Sequence, residues 1–159
     1  MKKDFWIIAL VLLAFLALIF FQRQNKSLNI NFDHDLTSKL EILNDKFLDK
    51  KEGVILLGDN SRIYSPHMEL EELSKSFIVE LKDQKGFNFL IQKQNSVDKN
   101  IVFEIDTIRN KNRLVISIDK IVYVEASNKE NIKRGMEILL QVSDTLENKL
   151  AFPRFYYAD

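Results

Sequence analysis

The sequence predicts an α+β domain, a mostly antiparallel sheet of four or five strands with helices on one face. Three observations carry that expectation. Two short β-branched runs, Leu114–Ile118 and Ile121–Ala126, flank a turn at Asp119-Lys120 and read as a hairpin. A helix signal follows at once, Ser127 to Glu130 leading into Ile132, Met136, Leu139 and Leu140 at helical spacing. Such a helix buries its apolar stripe only by folding back over the hairpin, which gives a sheet-plus-helix layer.

The other elements follow in order. Lys2-Lys3 precede an unbroken apolar run from Phe5 to Phe21. As a helix this run spans roughly 25 Å, the short end for a bilayer. Its exit, Leu18 to Arg23, has no small-x-small cleavage site, which favours an uncleaved signal anchor in residues 1–26 over a cleaved signal peptide. The slight excess of positive charge before the run suggests a cytoplasmic N-terminus and an extracytoplasmic domain. A cleaved leader would instead leave the protein secreted or periplasmic. Residues 27–52 are expected to hold a tether and then a helix near 36–49, with Asp35 as N-cap, Leu36, Leu40, Leu43 and Phe47 as its stripe, and Gly53 at its end.

Residues 53–150 form the predicted α/β body. Val54–Leu57 reads as a strand, Gly58-Asp59-Asn60 as a turn and Ile63-Tyr64 as a second strand. Ser65-Pro66 is a helix start, Leu70, Leu73, Phe77 and Leu81 are its stripe, and Gly86 is its stop. Phe87–Ile91 and Ile101–Ile105 are further strands, and Arg109–Arg113 is a charged turn. Ser127 and Glu130 have the spacing of a capping box. Gly135 lies within the buried stripe of the last helix, which implies close approach to the sheet.

Composition narrows function more than it defines it. Lys+Arg and Asp+Glu are both 23, so no basic surplus exists to bind phosphate, and nucleic acid is disfavoured as a partner. The absence of cysteine excludes disulfides, thiolate chemistry and lipoprotein anchoring. His34, between Asp33 and Asp35, reads as a solvated loop rather than a metal site, and His67 as an exposed residue in the first turn of a helix. The glycines Gly53, Gly58, Gly86 and Gly135 are scattered, so no phosphate loop or dinucleotide fingerprint is present. Asp106 and Asp119 stand at strand ends, where turn chemistry is the ordinary role. Phe155, Tyr156 and Tyr157 have residue types that stack on sugars, although a buried strand is the simpler reading. No catalytic, cofactor-binding or metal residue is assigned.

The order strand, turn, helix, glycine, strand, strand, hairpin, helix resembles the non-catalytic N-terminal domain of the glycoside hydrolase family 20 β-N-acetylhexosaminidases, over about residues 53–159. Gly53–Leu57 with Arg62-Ile63 resembles its opening strands, and Glu72–Leu81 with Gly86-Phe87 its helix and following strand. Val122–Ala126, Gly135, Leu139 and Gln141 resemble its last strand and helix. The resemblance implies an accessory domain whose partner is a catalytic TIM barrel. In that family an adjacent Asp-Glu pair in the barrel acts, with the substrate's acetamido group as nucleophile. Here no aspartate immediately precedes a glutamate, and 159 residues do not hold the roughly 250 that a barrel requires. Residues 151–159 resemble the start of the linker to that barrel. Alternatively, Pro153-Arg154-Phe155 matches the family's Pro-Arg-Phe motif, with Ala158-Asp159 where a sugar-binding arginine and glycine belong. On either alignment that arginine is missing. The competing expectation is a membrane-anchored module that uses the same fold to hold a partner or a glycan.

Overall fold

The computed structural model describes residues 36–44, 47–95, 98–108 and 112–159. The expected membrane segment at 5–21, the tether, Asp33, His34, Asp35 and Arg109 lie outside these residues. Among the described residues no helix is long and apolar enough to cross a membrane.

The body is α+β. Its strands are β1 (Leu48–Leu57), β2 (Arg62–Tyr64), β3 (Leu90–Gln92), β4 (Ile101–Ile105), β5 (Leu114–Ile118), β6 (Val122–Ala126), β7 (Asp144–Leu146) and β8 (Lys149–Ala158). Among the described residues it also has two long helices, α1 (Glu71–Lys85) and α2 (Lys129–Val142), short 3-10 turns at Lys39–Ile42 and Met68–Leu70, and helical residues at 36–38. The sheet runs β1-β8-β5-β6-β4-β2-β3, with β7 paired to β8 off that path. Pairings on the β1 side are antiparallel, whereas β6-β4, β4-β2 and β2-β3 are parallel.

The sheet is therefore larger than the four or five strands expected, and mixed rather than mostly antiparallel. α1 is the cause on one side. It carries the chain from β2 back to the same end of the sheet, so β3 can only lie parallel to β2. On the other side, residues 151–159, expected as a linker, form most of β8 between β1 and β5.

The expected helix over 36–49 is a second correction. Among the described residues, helical geometry breaks off after Ile42 and returns only as a 3-10 residue at Phe47, and Leu48 already belongs to β1, opposite Tyr157. Leu36, Leu40 and Leu43 are buried as the stripe requires, but Phe47 is 37% exposed. Main-chain pairing with β8 outweighs the helical preference there. Gly53, expected at the end of that helix, sits inside β1 at φ +89, where the register with β8 shifts between Lys50 and Val54. A side chain is strained in that left-handed region, so glycine permits the bulge.

α1 ends as expected: Gly86 adopts φ 82 and its N–H donates to the carbonyl of Lys82. Its start is later than Ser65-Pro66. Ser65 Oγ accepts from the His67 N–H, and the chain makes a 3-10 turn before Glu71. The cap of α2 is likewise displaced by one residue. Asn128, not Ser127, is the N-cap, and its side-chain oxygen accepts from the Asn131 N–H at 2.9 Å. Asn128→Ala is expected to cost about 1 kcal/mol, read as a lowered denaturant midpoint, while Glu130→Gln leaves the midpoint nearly unchanged.

Both helices cover one face of the sheet. Phe77 of α1 meets Phe103 of β4 edge to face at 5.5 Å, and Gly135 of α2 lies against Val124 of β6. Between the layers Leu70, Leu81, Ile101, Ile116, Val122, Ile132 and Leu139 are fully buried. Lysines fasten the C-terminal end of α2, where carbonyl groups lack helical partners. Lys85 Nζ donates to the Ser143 carbonyl at 3.0 Å, and Lys39 Nζ to Asp144 at 2.5 Å. Burial, then the nearby charge of Lys39, holds the Lys85 ammonium below its ordinary pKa.

Candidate functional site

The residue types that drew attention in the sequence are not brought together. His67 opens the 3-10 turn before α1. Asp106 accepts from the Ile108 N–H at 2.9 Å, a local turn contact. Asp119 pairs with Arg154 across the end of the β5-β6 hairpin. Phe155 and Tyr157 are buried in the core, and only Tyr156 of that trio reaches solvent. Among the described residues no group of three or more His, Cys, Asp or Glu is placed to hold a metal ion.

What the fold does assemble is a polar face on the side of the sheet away from the helices. Alternation sets it up. In β4, β5 and β6 the residues facing the helices are Ile101, Phe103, Ile105, Leu114, Ile116, Ile118, Val122 and Val124, so the intervening positions lie on the other face, where Val102 and Val115 are also buried. Those positions include Glu104, Ser117, Tyr123 and Glu125. Glu104 and Glu125 lie directly opposite each other in the parallel β4-β6 ladder. The Tyr123 hydroxyl sits between them, 2.8 Å from Glu104 Oε2 and 3.2 Å from Glu125 Oε2. Arg113 Nη1 approaches Glu125 at 3.8 Å. Like charges directly opposite in a sheet repel, and the phenol and guanidinium offset that repulsion.

Burial, followed by the hydrogen bond to Glu104, pushes the Tyr123 phenol well above its ordinary pKa. The fold thus favours the protonated phenol. Its contribution is fully present below about pH 10, the unfolded value, and falls away as pH rises through the higher folded value. Stability is therefore expected to decline above about pH 10. Tyr123→Phe should flatten that decline and cost about 1 kcal/mol at neutral pH. Denaturant titrations at several alkaline pH values check both.

The depressions among the described residues include one of ≈ 520 Å³ along β3, against Arg62, Leu90, Gln92 and Asp98, and two others. One, ≈ 350 Å³, lies between α1 and α2 against Leu73, Phe77, Lys133 and Met136. The other, ≈ 340 Å³, lies where β2 and β3 meet the start of α1, against Tyr64, His67, Glu71, Gln92 and Lys93. Neither contains Glu104 or Glu125. These carboxylates stand half-buried on the face of the sheet away from the helices, held by a tyrosine, in an arrangement suited to accepting hydrogen bonds.

Sequence reasoning did not single out Glu104, Tyr123 or Glu125. The signal was available in part: the alternation of β6 places Tyr123 and Glu125 on one face. The parallel pairing of β4 with β6, which brings in Glu104, is not visible in either strand alone.

No family model matches the sequence, and no curated protein matches it. Solved structures do match the fold. A GH20 exo-β-N-acetylglucosaminidase from Vibrio harveyi, in complex with N-acetylglucosamine, superposes with a TM-score of 0.61 at 12% identity. That match covers 70% of this chain and 17% of the enzyme. A β-N-acetylhexosaminidase from Bacteroides fragilis gives a TM-score of 0.56 at 19% identity, over 70% of this chain and 22% of that one. An N-acetyl-β-hexosaminidase from Streptomyces plicatus gives 0.57 at 10% identity, over 69% and 24%. At these identities the likeness is one of fold. The chain is similar to a portion of these enzymes and spans less than a quarter of their length.

Proposed function

We propose that this chain is the accessory, non-catalytic N-terminal domain of a β-N-acetylhexosaminidase-like glycoside hydrolase, working beside a catalytic barrel in cis. The observation that carries the reading is the lopsided coverage: most of the described body superposes on about a fifth of each neighbour. The rest of the reading comes from the sequence. The apolar run at 5–21 anchors the domain in a membrane with the body outside the cytoplasm, and extraction of the full chain with alkaline carbonate tests the anchor.

By itself the chain is expected not to hydrolyse glycosides. Purified protein given a chromogenic N-acetylglucosaminide should release no dye above background. Turnover that disappears in Glu104→Gln or Glu125→Gln would place chemistry on the sheet face and reject the accessory role. The nucleotide sequence beyond codon 159 is the direct test of the partner, since the reading expects a (β/α) barrel carrying an Asp-Glu pair.

A further inference from the structure

Three of the four tyrosines stand in one row across the face of the sheet away from the helices. Tyr64 of β2 is in register with Val102 of β4, and Val102 with Tyr123 of β6. Tyr123 is in register with Ser117 of β5, and Ser117 with Tyr156 of β8. The row ends on Gln92 of β3 at one side and Asp49 of β1 at the other. A tyrosine therefore recurs on every second strand, with a small or aliphatic residue between. Neighbouring strands lie about 4.8 Å apart, so successive tyrosines are spaced by roughly 10 Å.

We infer that this row is a binding strip for a single extended β-1,4-linked glycan chain, with Tyr64, Tyr123 and Tyr156 as stacking platforms. The disaccharide repeat of such a chain has the same length as the tyrosine spacing, so alternate sugars meet successive rings. The rings are held in place. The Tyr123 hydroxyl is fixed by Glu104 and Glu125, and the Lys99 ammonium lies over the Tyr64 ring, 5.4 Å from its centre, so a sugar there takes the ring's other face or displaces the lysine. Tyr156 is 38% exposed. Glu104 and Glu125 beside the middle platform accept hydrogen bonds from sugar hydroxyls or acetamido N–H groups. Sheet twist turns successive platforms by about 45°, which suits one flexible chain and not the flat face of a crystalline polymer.

The inference rests on the proposed function only for the choice of sugar, N-acetylglucosamine. The test is calorimetric titration of the full chain with chitohexaose, paired with chemical-shift mapping. Saturable binding is expected, weakened about tenfold in Tyr156→Ala and in Tyr64→Ala and retained in Tyr156→Phe. Chitobiose, too short to reach two platforms, should bind far more weakly. Absence of saturable binding, or binding that both alanine variants leave unchanged, overturns the strip. If either alanine variant fails to fold, shift mapping on the unaltered protein decides, because perturbations must fall on Val102, Ser117 and Tyr123. Cellohexaose binding as tightly as chitohexaose supports the strip and counts against the hexosaminidase-type reading. A downstream frame without a barrel counts against that reading alone.

Discussion

Phe103→Ala is expected to destabilise the domain by about 3–5 kcal/mol, at the upper end of what one side-chain truncation removes. Phe103 is the middle residue of β4, fully buried, and its ring meets Phe77 edge to face at 5.5 Å with planes at 88°. It pairs with Val124 on β6, so the same side chain links the sheet to α1 and lies beside the strand that receives α2. Removing it forfeits the transfer free energy of a large aromatic and leaves a cavity that two helices and a paired strand cannot easily close. The edge-to-face contact adds about 0.5–1.5 kcal/mol beyond area. Guanidinium unfolding should show a much lower midpoint with an unchanged slope. Val79→Ala is the comparison: Val79 lies on α1 but is 57% exposed, and its loss should stay within about 0.5 kcal/mol.

The strands best read from sequence are those buried on strong alternation. Ile101–Ile105 and Leu114–Ile118 have the bounds expected, and Val122–Ala126 begins one residue late because Ile121 belongs to the turn. The helix stripes were legible for the same reason, since Leu70, Phe77 and Leu81 repeat at helical spacing and all three are buried. What was not legible depends on partners distant in sequence. β2 and β3 were expected as strands at Ile63-Tyr64 and Phe87–Ile91, but each has only three residues, β3 starts as late as Leu90, and their parallel pairing depends on α1 bringing the chain back. The β7-β8 hairpin turns through Glu147 and Asn148, both at positive φ, without the Asn-Gly or Asp-Gly pair that announces such a turn. β8 contains Pro153, which argues against an interior strand, yet it pairs on both sides. The polar face followed the same rule: Tyr123 and Glu125 were predictable as neighbours, while Glu104, Tyr64 and Tyr156 join them only through the strand order.

Gly135→Ala is the second large effect, and its sign depends on one neighbour. In an exposed helix the change would stabilise by about 1 kcal/mol. Here an added Cβ would stand 2.6 Å from Val124 Cγ1 and 3.2 Å from Leu114 Cδ1. Leu114 can yield by rotating its outer carbons. Val124 cannot do so easily, because it is β-branched, stiff at χ1 and fully buried in β6. Helix and strand must separate instead, which costs about 1–3 kcal/mol and leaves a net loss for the single variant. In a Val124→Ala background the obstructing methyl is gone, and Gly135→Ala should then raise stability relative to Val124→Ala alone. A double-mutant cycle reads this as a coupling of about 1 kcal/mol or more. Additive effects would mean that α2 does not depend on the absent side chain for its seat on the sheet. Because Val124 also pairs with Phe103, the space opened by Phe103→Ala gives Val124 somewhere to move. Gly135→Ala should therefore cost less in that background than in the unaltered protein, and the two largest effects should prove non-additive.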